Sequence, residues 1–371
     1  MAAPRARVAR PRRRGRPDVS RSRRLLDLAV LAVMAAPAAG MAQAPGDSAG
    51  AWDLATGSHI TWVRVAGARG AELPPVIYLH GGPGAYEVAS LPAYRPLLDR
   101  WARLGFDVYL YDQVGSGRSG RLGDPTAYTV ARHVADLEEI RERIGAPRIV
   151  LIGESWGASL AASYIAAHPD RVRRAVFVSP GVIDRADWER APPTVRFDPE
   201  LLAWVRSHGP AAVYRRCLEL DRRMRRDVRA AYTWAGDAAW DSLLDAWATG
   251  QVLARAVAQP SRVRSARMHG MGFWSWTMTN WSQLTGTARV RPQLRRFARP
   301  VLILHGLADY LPAAIAERYA ATFPRATLIQ VPAAGHLIWV DRPDVFGGRI
   351  AAFLEPEGAG HAPAPRGGKD R

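Results

Sequence analysis

The hydrophobic pattern of the chain falls into two regimes. His59 to Val65 alternates apolar and polar positions, as a half-buried strand does. Pro75 to Leu79, Asp107 to Tyr111, Ile149 to Ile152 and Ala175 to Val178 are near-continuous apolar runs of strand length, the signature of strands covered on both faces. Between them, Val130, Val134, Leu137, Ile140 and Ile144 recur on one face and predict a helix over 130–144, and small residues up to His168 predict another. From about Asp184 to Arg299 strand-like runs vanish, helix formers dominate, and eight of the thirteen tryptophans cluster. The alternation then resumes: a strand over Val301–Leu304, a helix over Ala313–Thr322, a strand over Thr327–Val331 and a last helix over Pro343–Leu354. The pattern predicts an α/β fold with a mostly parallel, doubly wound sheet from 51–183 and 300–354, interrupted by a helical, Trp-rich cap from 184–299.

The two ends read differently. Residues 1–24 are rich in Arg and Pro, Leu25 to Ala36 is apolar apart from Asp27, and Ala42-Gln43-Ala44 is a small-residue cleavage pattern. Residues 1–44 therefore read as an export signal, with a twin-arginine look in Ser22-Arg23-Arg24-Leu25-Leu26. Gly40 competes as the cut point because Pro45 follows Ala44; a mature start near Met41 or Pro45 in a periplasmic or extracellular protein is expected. The apolar run is short for a spanning helix, so no stable membrane association is expected after processing; a start codon placed too early would leave a cytoplasmic protein. Residues 355–371 are rich in Gly and Pro and predicted to be disordered.

Charge changes the picture less than its size suggests. Of the net +17, ten arginines against Asp18 and Asp27 in residues 1–44 supply +8, leaving +9 for the rest. No basic run interleaved with aromatics stands in the body of the chain, so a nucleic-acid partner is not expected. One cysteine, Cys217, excludes an intramolecular disulfide, and no Cys/His cluster has metal-site spacing; neither metal nor cofactor is expected.

The candidate chemistry centres on Arg148 to Ala158. A buried strand runs into Gly153-Glu154-Ser155-Trp156-Gly157 and then into a helix, which places Ser155 at the apex of a strand-turn-helix. The flanking glycines suit a strained apex that neighbouring chain must approach closely. A serine hydroxyl needs a base, and the base needs an acid to hold its tautomer. In a parallel sheet the loops after different strands meet at one edge. His336 follows the last predicted strand and Asp309 the one before it, in the order Ser…Asp…His. Asp341 and Asp344 flank Pro343 at a helix start, and Asp112 lies in a Gly-rich loop suited to bracing; Asp309 is preferred as the acid, with Asp341 expected to matter little. Two oxyanion donors are available, the N–H of Trp156 and that of Gly82 in His80-Gly81-Gly82-Pro83-Gly84.

His80-Gly81-Gly82-Pro83-Gly84, Asp112-Gln113-Val114-Gly115-Ser116-Gly117-Arg118-Ser119 and Gly153-Glu154-Ser155-Trp156-Gly157, in this order, resemble the proline iminopeptidase family of α/β-hydrolases across roughly Ala51 to Leu354. The resemblance implies an α/β-hydrolase fold and a metal-free serine aminopeptidase that forms an acyl-enzyme and releases N-terminal proline or another small residue from peptides. Val114 stands where that family usually has arginine, Glu154 where it has glycine, and the cap lacks its Trp-x-x-Trp-Glu run. An aminopeptidase must receive an ammonium on carboxylates. Asp241 and Asp245, four apart on a Trp-flanked helix, are the first choice, with Glu154 beside the nucleophile and Trp240 and Trp247 as apolar walls. An esterase or other small-molecule hydrolase with the same triad, and a non-catalytic binding protein on the same fold, remain the alternatives.

Overall fold

The computed structural model describes residues 46–355 except 69–72, 87–90, 184–194, 259–267, 269 and 287–289. The expected export signal and the tail beyond Glu355 lie outside the described residues. Eight strands form one sheet in the order β1-β2-β4-β3-β5-β6-β7-β8. They are β1 (Ser48–Asp53), β2 (His59–Val65), β3 (Val76–Leu79), β4 (Val108–Tyr111), β5 (Ile149–Glu154), β6 (Val172–Val178), β7 (Val301–Gly306) and β8 (Ala326–Val331). β1–β2 and β2–β4 are antiparallel; every later pairing is parallel. The all-apolar runs become the central strands: every residue of β3, β5 and β7 is buried.

Helices α1 (Leu91–Arg103), α2 (Val130–Ile144) and α3 (Trp156–Ala167) belong to the first half of the sheet. Thr129 caps α2 by accepting from the Arg132 N–H, and Gly145 ends it in the left-handed region. In the second half, α9 (Ala313–Thr322), α10 (Ile338–Asp341) and α11 (Pro343–Leu354) complete the cover, as numbered after the cap helices below.

Among the described residues between β6 and β7 there is no strand. α4 (Pro199–His208), α5 (Ala211–Arg226), α6 (Val228–Ala235), α7 (Ala238–Trp247) and α8 (Phe273–Thr285) make up this insertion, and α7 runs on through a π turn at Ala248–Val252 to a last turn at Leu253–Ala256. Its own core is aromatic: Phe273 packs against Phe197, Trp240 and Trp274 with ring centroids 5.3–5.7 Å apart. Cys217 is buried in this core, where loss of solvent pushes its thiol up to about 12.

β1 and α1 have no forerunner in the sequence pattern. β1 is mostly exposed and carries no apolar alternation; it is held by its ladder to β2 and by Trp52 stacked on Trp62 at 4.6 Å. α1 contains Pro96, which hides its helical period.

Candidate active site

Because β3 to β8 run parallel, the turns that leave them open on one edge of the sheet. Ser155 leaves β5 with φ 54° and ψ −118°, a conformation that costs of order 1–3 kcal/mol and persists only where the surroundings impose it. Here they do. A Cβ at Gly153 would lie 2.4 Å from the Gly157 carbonyl oxygen, and one at Gly157 would lie 2.0 Å from that of Leu79. The Ser155 N–H donates to the Val178 carbonyl at 2.9 Å, which ties the turn to the end of β6. The Trp156 N–H is the first of α3 and has no intrahelical acceptor.

The glycine loop after β3 lies against this turn. A Cβ on Gly81 would stand 3.1 Å from the Ser155 Cβ, and Gly82 has φ +114°, a value that favours glycine. His80 holds the loop from below. Its Nδ1–H donates to the Gly81 carbonyl at 2.9 Å and its Nε2 accepts from the Gln113 N–H at 2.9 Å. Burial lowers the His80 pKa, in keeping with a neutral ring that uses both nitrogens. Gln113 then bridges the parts: its amide donates to the His80 carbonyl at 3.1 Å and accepts from the Trp156 indole at 3.0 Å. Sequence reasoning gave Gln113 no role; its place directly after a strand at the loaded edge is the signal that could have found it. Asp112 braces its loop as expected, accepting from the Arg118 N–H at 2.9 Å, and Val114 is buried.

The second half of the sheet supplies an imidazole and a carboxylate. His336 Nδ1 lies 2.9 Å and 3.1 Å from the two Asp309 oxygens, and Asp309 Oδ1 also accepts from the Leu311 N–H at 2.8 Å. Burial is the largest single influence and opposes the charged Asp309, but the bond and charge of His336, the Leu311 N–H and His305 together hold the carboxyl below its ordinary value. His305 stands 3.6 Å from the same carboxylate, and the Tyr310 ring covers His336 at 4.5 Å between centroids. Ser179, directly after β6, donates from Oγ to the His336 carbonyl at 2.8 Å. The chain from Ser155 N–H to Val178, and from Ser179 to His336, thus links the serine turn to the imidazole loop through one strand end.

Each of the five expected substrate contacts has partners within the protein itself. Glu154 is buried, and its Oε2 accepts from the Tyr78 hydroxyl at 2.5 Å, beside Tyr94 and Trp339. Burial raises its pKa, against the pull of Tyr78 and of nearby His336. Asp241 accepts from the Phe273 N–H at 2.7 Å and pairs with Arg121 at 2.9 Å. Asp245 accepts from the Gly270 and Met271 N–H groups at 2.9 Å and 3.0 Å. Both carboxylates therefore cap and close the entry to α8 rather than wait for an ammonium. Trp240 is spent on the cap core, under the Arg216 guanidinium. Trp247 packs edge-on against Trp276, whose N–H would be 3.0 Å from a Cβ on Gly84.

Residues 74–343 match the alpha/beta hydrolase fold family. The chain belongs to that family. A proline iminopeptidase of Levilactobacillus brevis is 25% identical to this alpha/beta hydrolase over 303 residues, 80% of this chain and 93% of its own. One of Heyndrickxia coagulans is 40% identical over 108 residues, 29% of this chain and 35% of its own. Among solved structures, an esterase from Exiguobacterium antarcticum superposes with a TM-score of 0.57 at 15% identity, over 83% of the hydrolase and 100% of that chain. A proline iminopeptidase from Mycobacterium smegmatis gives 0.54 at 19%, over 83% and 97%. At such identities these two likenesses concern the fold alone. Among the described residues of the hydrolase, no group of three His, Cys, Asp or Glu side chains is arranged to hold a metal.

Proposed function

We propose that the protein is a serine hydrolase that works through an acyl-enzyme, with short peptides bearing a free N-terminal proline or other small residue as first-choice substrates. The observation that carries the chemistry is the pairing of a strained Ser155 turn with a His336–Asp309 couple at one edge of the sheet. With Nδ1 committed to Asp309, His336 has Nε2 free to take the Ser155 proton as Oγ attacks the substrate carbonyl. The N–H groups of Trp156 and Gly82 receive the oxyanion, each worth about 10²–10³ in rate. His336 then protonates the leaving amine or alcohol, and water, deprotonated by the same nitrogen, releases the acid from Ser155. Export to the periplasm or medium through residues 1–44 belongs to the same proposal.

The aminopeptidase reading is supported by the likeness to the Levilactobacillus enzyme along most of both chains. A second reading, an esterase, is favoured by the commitment of Asp241 and Asp245 to the cap's own backbone. Burial raises the pKa of the Tyr310 hydroxyl, Asp309 and Glu154 push the same way, and of the cap pair Arg255 opposes the shift more than Glu200 adds to it. Glu200 is paired with Arg255 at 2.8 Å, so an ammonium would have to share or displace that partner.

The deciding experiment is fluorophosphonate labelling of the parent, Ser155→Ala and His336→Ala, followed by a panel of free-amine arylamides, their N-acetyl forms and simple esters. Labelling that needs both residues, with cleavage confined to free amines, is expected. Equal turnover of acetylated arylamides or esters would transfer the assignment to the esterase, and labelling of Ser155→Ala would remove the serine chemistry altogether.

A further inference from the structure

The backbone around His336 is pinned at three successive residues. The Gly335 N–H donates to Asp341 Oδ2 at 2.8 Å, the His336 carbonyl accepts from Ser179 Oγ at 2.8 Å, and the Leu337 N–H donates to the Ala256 carbonyl at 2.8 Å. Two of these pins lead to the same short piece of chain, residues 256–258, at the end of the helical turn Leu253–Ala256 in the cap. Ala256 contributes directly. Ala258 contributes through Asp341, whose Oδ2 also accepts the Ala258 N–H at 2.7 Å. The contact is tight as well as bonded: a Cβ on Gly335 would stand 2.8 Å from the Ala256 carbonyl oxygen and 3.0 Å from the Ala258 nitrogen. Asp341 itself is buried, at 3% exposure.

One buried carboxylate oxygen therefore joins an N–H of the imidazole loop to an N–H of the cap. A charged acceptor with two backbone donors holds them more firmly than a neutral one, and removing it strands both donors away from water. We propose that Asp341 is a positioning residue: it sets the direction in which His336 offers Nε2 and makes that direction depend on where cap residues 256–258 sit. The proposal rests on the reading of His336 as the base. It departs from the expectation that Asp341, as a helix-start acid, matters little. A displacement of about 1 Å in such a group costs on the order of 10² in rate, while substrate binding, built from other residues, changes little.

The test uses the full chain with Asp341→Ala, Asp341→Asn, Asp309→Asn, His336→Ala and Ala258→Pro. The last removes only the cap-side donor; Val257 before it is already extended at φ −124° and ψ 144°, which a following proline accepts. Each variant is assayed for kcat and KM on an activated ester, well below its melting temperature. Proton NMR follows the low-field resonance of the His336 Nδ1–H. In Asp341→Ala we expect kcat to fall about 10- to 100-fold with KM within about twofold, and the resonance to shift or broaden. Asp341→Asn should recover part of the loss, and Ala258→Pro should give a smaller loss in the same direction. Folded Asp341→Ala and Ala258→Pro with parental kcat and an unmoved resonance would overturn the proposal. So would an Asp341→Asn variant that loses the resonance as fully as Asp309→Asn, since Asp341 would then be a direct partner of the imidazole. Near-normal turnover by His336→Ala would instead remove the reading of His336 as base, a separate failure visible in a separate variant.

Discussion

The sheet edge and the cap place their polar groups in opposite ways. At the edge, backbone geometry comes first: glycines with no room for a Cβ force a turn, and the turn aims a side chain or an N–H outward. In the cap, aromatic packing comes first, and the acids serve it by tying down stray backbone donors. Asp309 and Asp241 show the difference. The Asp309 carboxylate faces the His336 ring, while that of Asp241 faces an arginine and the first N–H of a cap helix. Of these two carboxylates, the one that follows a strand end faces a ring at the sheet edge, and the one on a cap helix is tied to the entry of α8.

The largest test of that contrast is Asp309→Asn. Loss of the acceptor for His336 Nδ1 should lower kcat by about 10²–10⁴ with KM little changed, measured on an activated ester. A loss under tenfold would mean that the imidazole is oriented by other groups. Next in size is Gly157→Ala. Its Cβ would meet a backbone oxygen at 2.0 Å, with no flexible atom to yield. A loss of about 3 kcal/mol or more in urea unfolding, or failure to fold, is expected; a fully stable, active variant would show that the turn is not geometrically locked.

On the cap side, Asp245→Ala strands two N–H groups and should cost about 1–3 kcal/mol of stability. The ratio of KM for a free-amine arylamide to that for a neutral ester should stay at the parental value. A severalfold change in that ratio at unchanged stability would restore Asp245 as a substrate contact and blur the contrast.

The smallest effect is expected at Glu154, which lies on the border between the two styles. Its folded pKa is raised by burial, so its contribution to stability is complete below the ordinary carboxylate value and is lost as pH rises through the raised one. Glu154→Gln does not titrate. Its melting temperature should therefore gain on the parent as pH rises from about 5 to 8, by an amount set by that shift. A variant that instead loses ground with rising pH would show a carboxylate stabilised in its charged form.

How much was legible follows from the same contrast. The central strands could be read because burial on both faces leaves uninterrupted apolar runs such as Ile149 to Ile152. The His336–Asp309 bond follows from parallel strands sharing an edge, which is a matter of topology. β1 could not be read, because a partner strand and one tryptophan stack place it rather than its own pattern. The intramolecular partners of Asp241, Asp245 and Trp240 could not be read, because helical spacing tells which residues share a face but not what that face meets. Gln113 and Ser179 were missed because each bonds a backbone atom of a residue distant in sequence, and the bond of Asp341 to the Ala258 N–H, 83 positions away, was hidden for the same reason.

Gly272 carries a consequence for anyone who would re-engineer specificity. It sits at the mouth of α8 with its N–H on the Gly84 carbonyl at 2.8 Å, and a Cβ there would fall 1.6 Å from the Gly115 carbonyl oxygen. The helix is thus seated on two loops by a bare hydrogen atom. A cap transplanted from another protein as a cassette must bring a glycine to this address, or the seat itself will not accept it. Diversity can be built freely into the walls of such a cassette, but not into the coupling by which it plugs in.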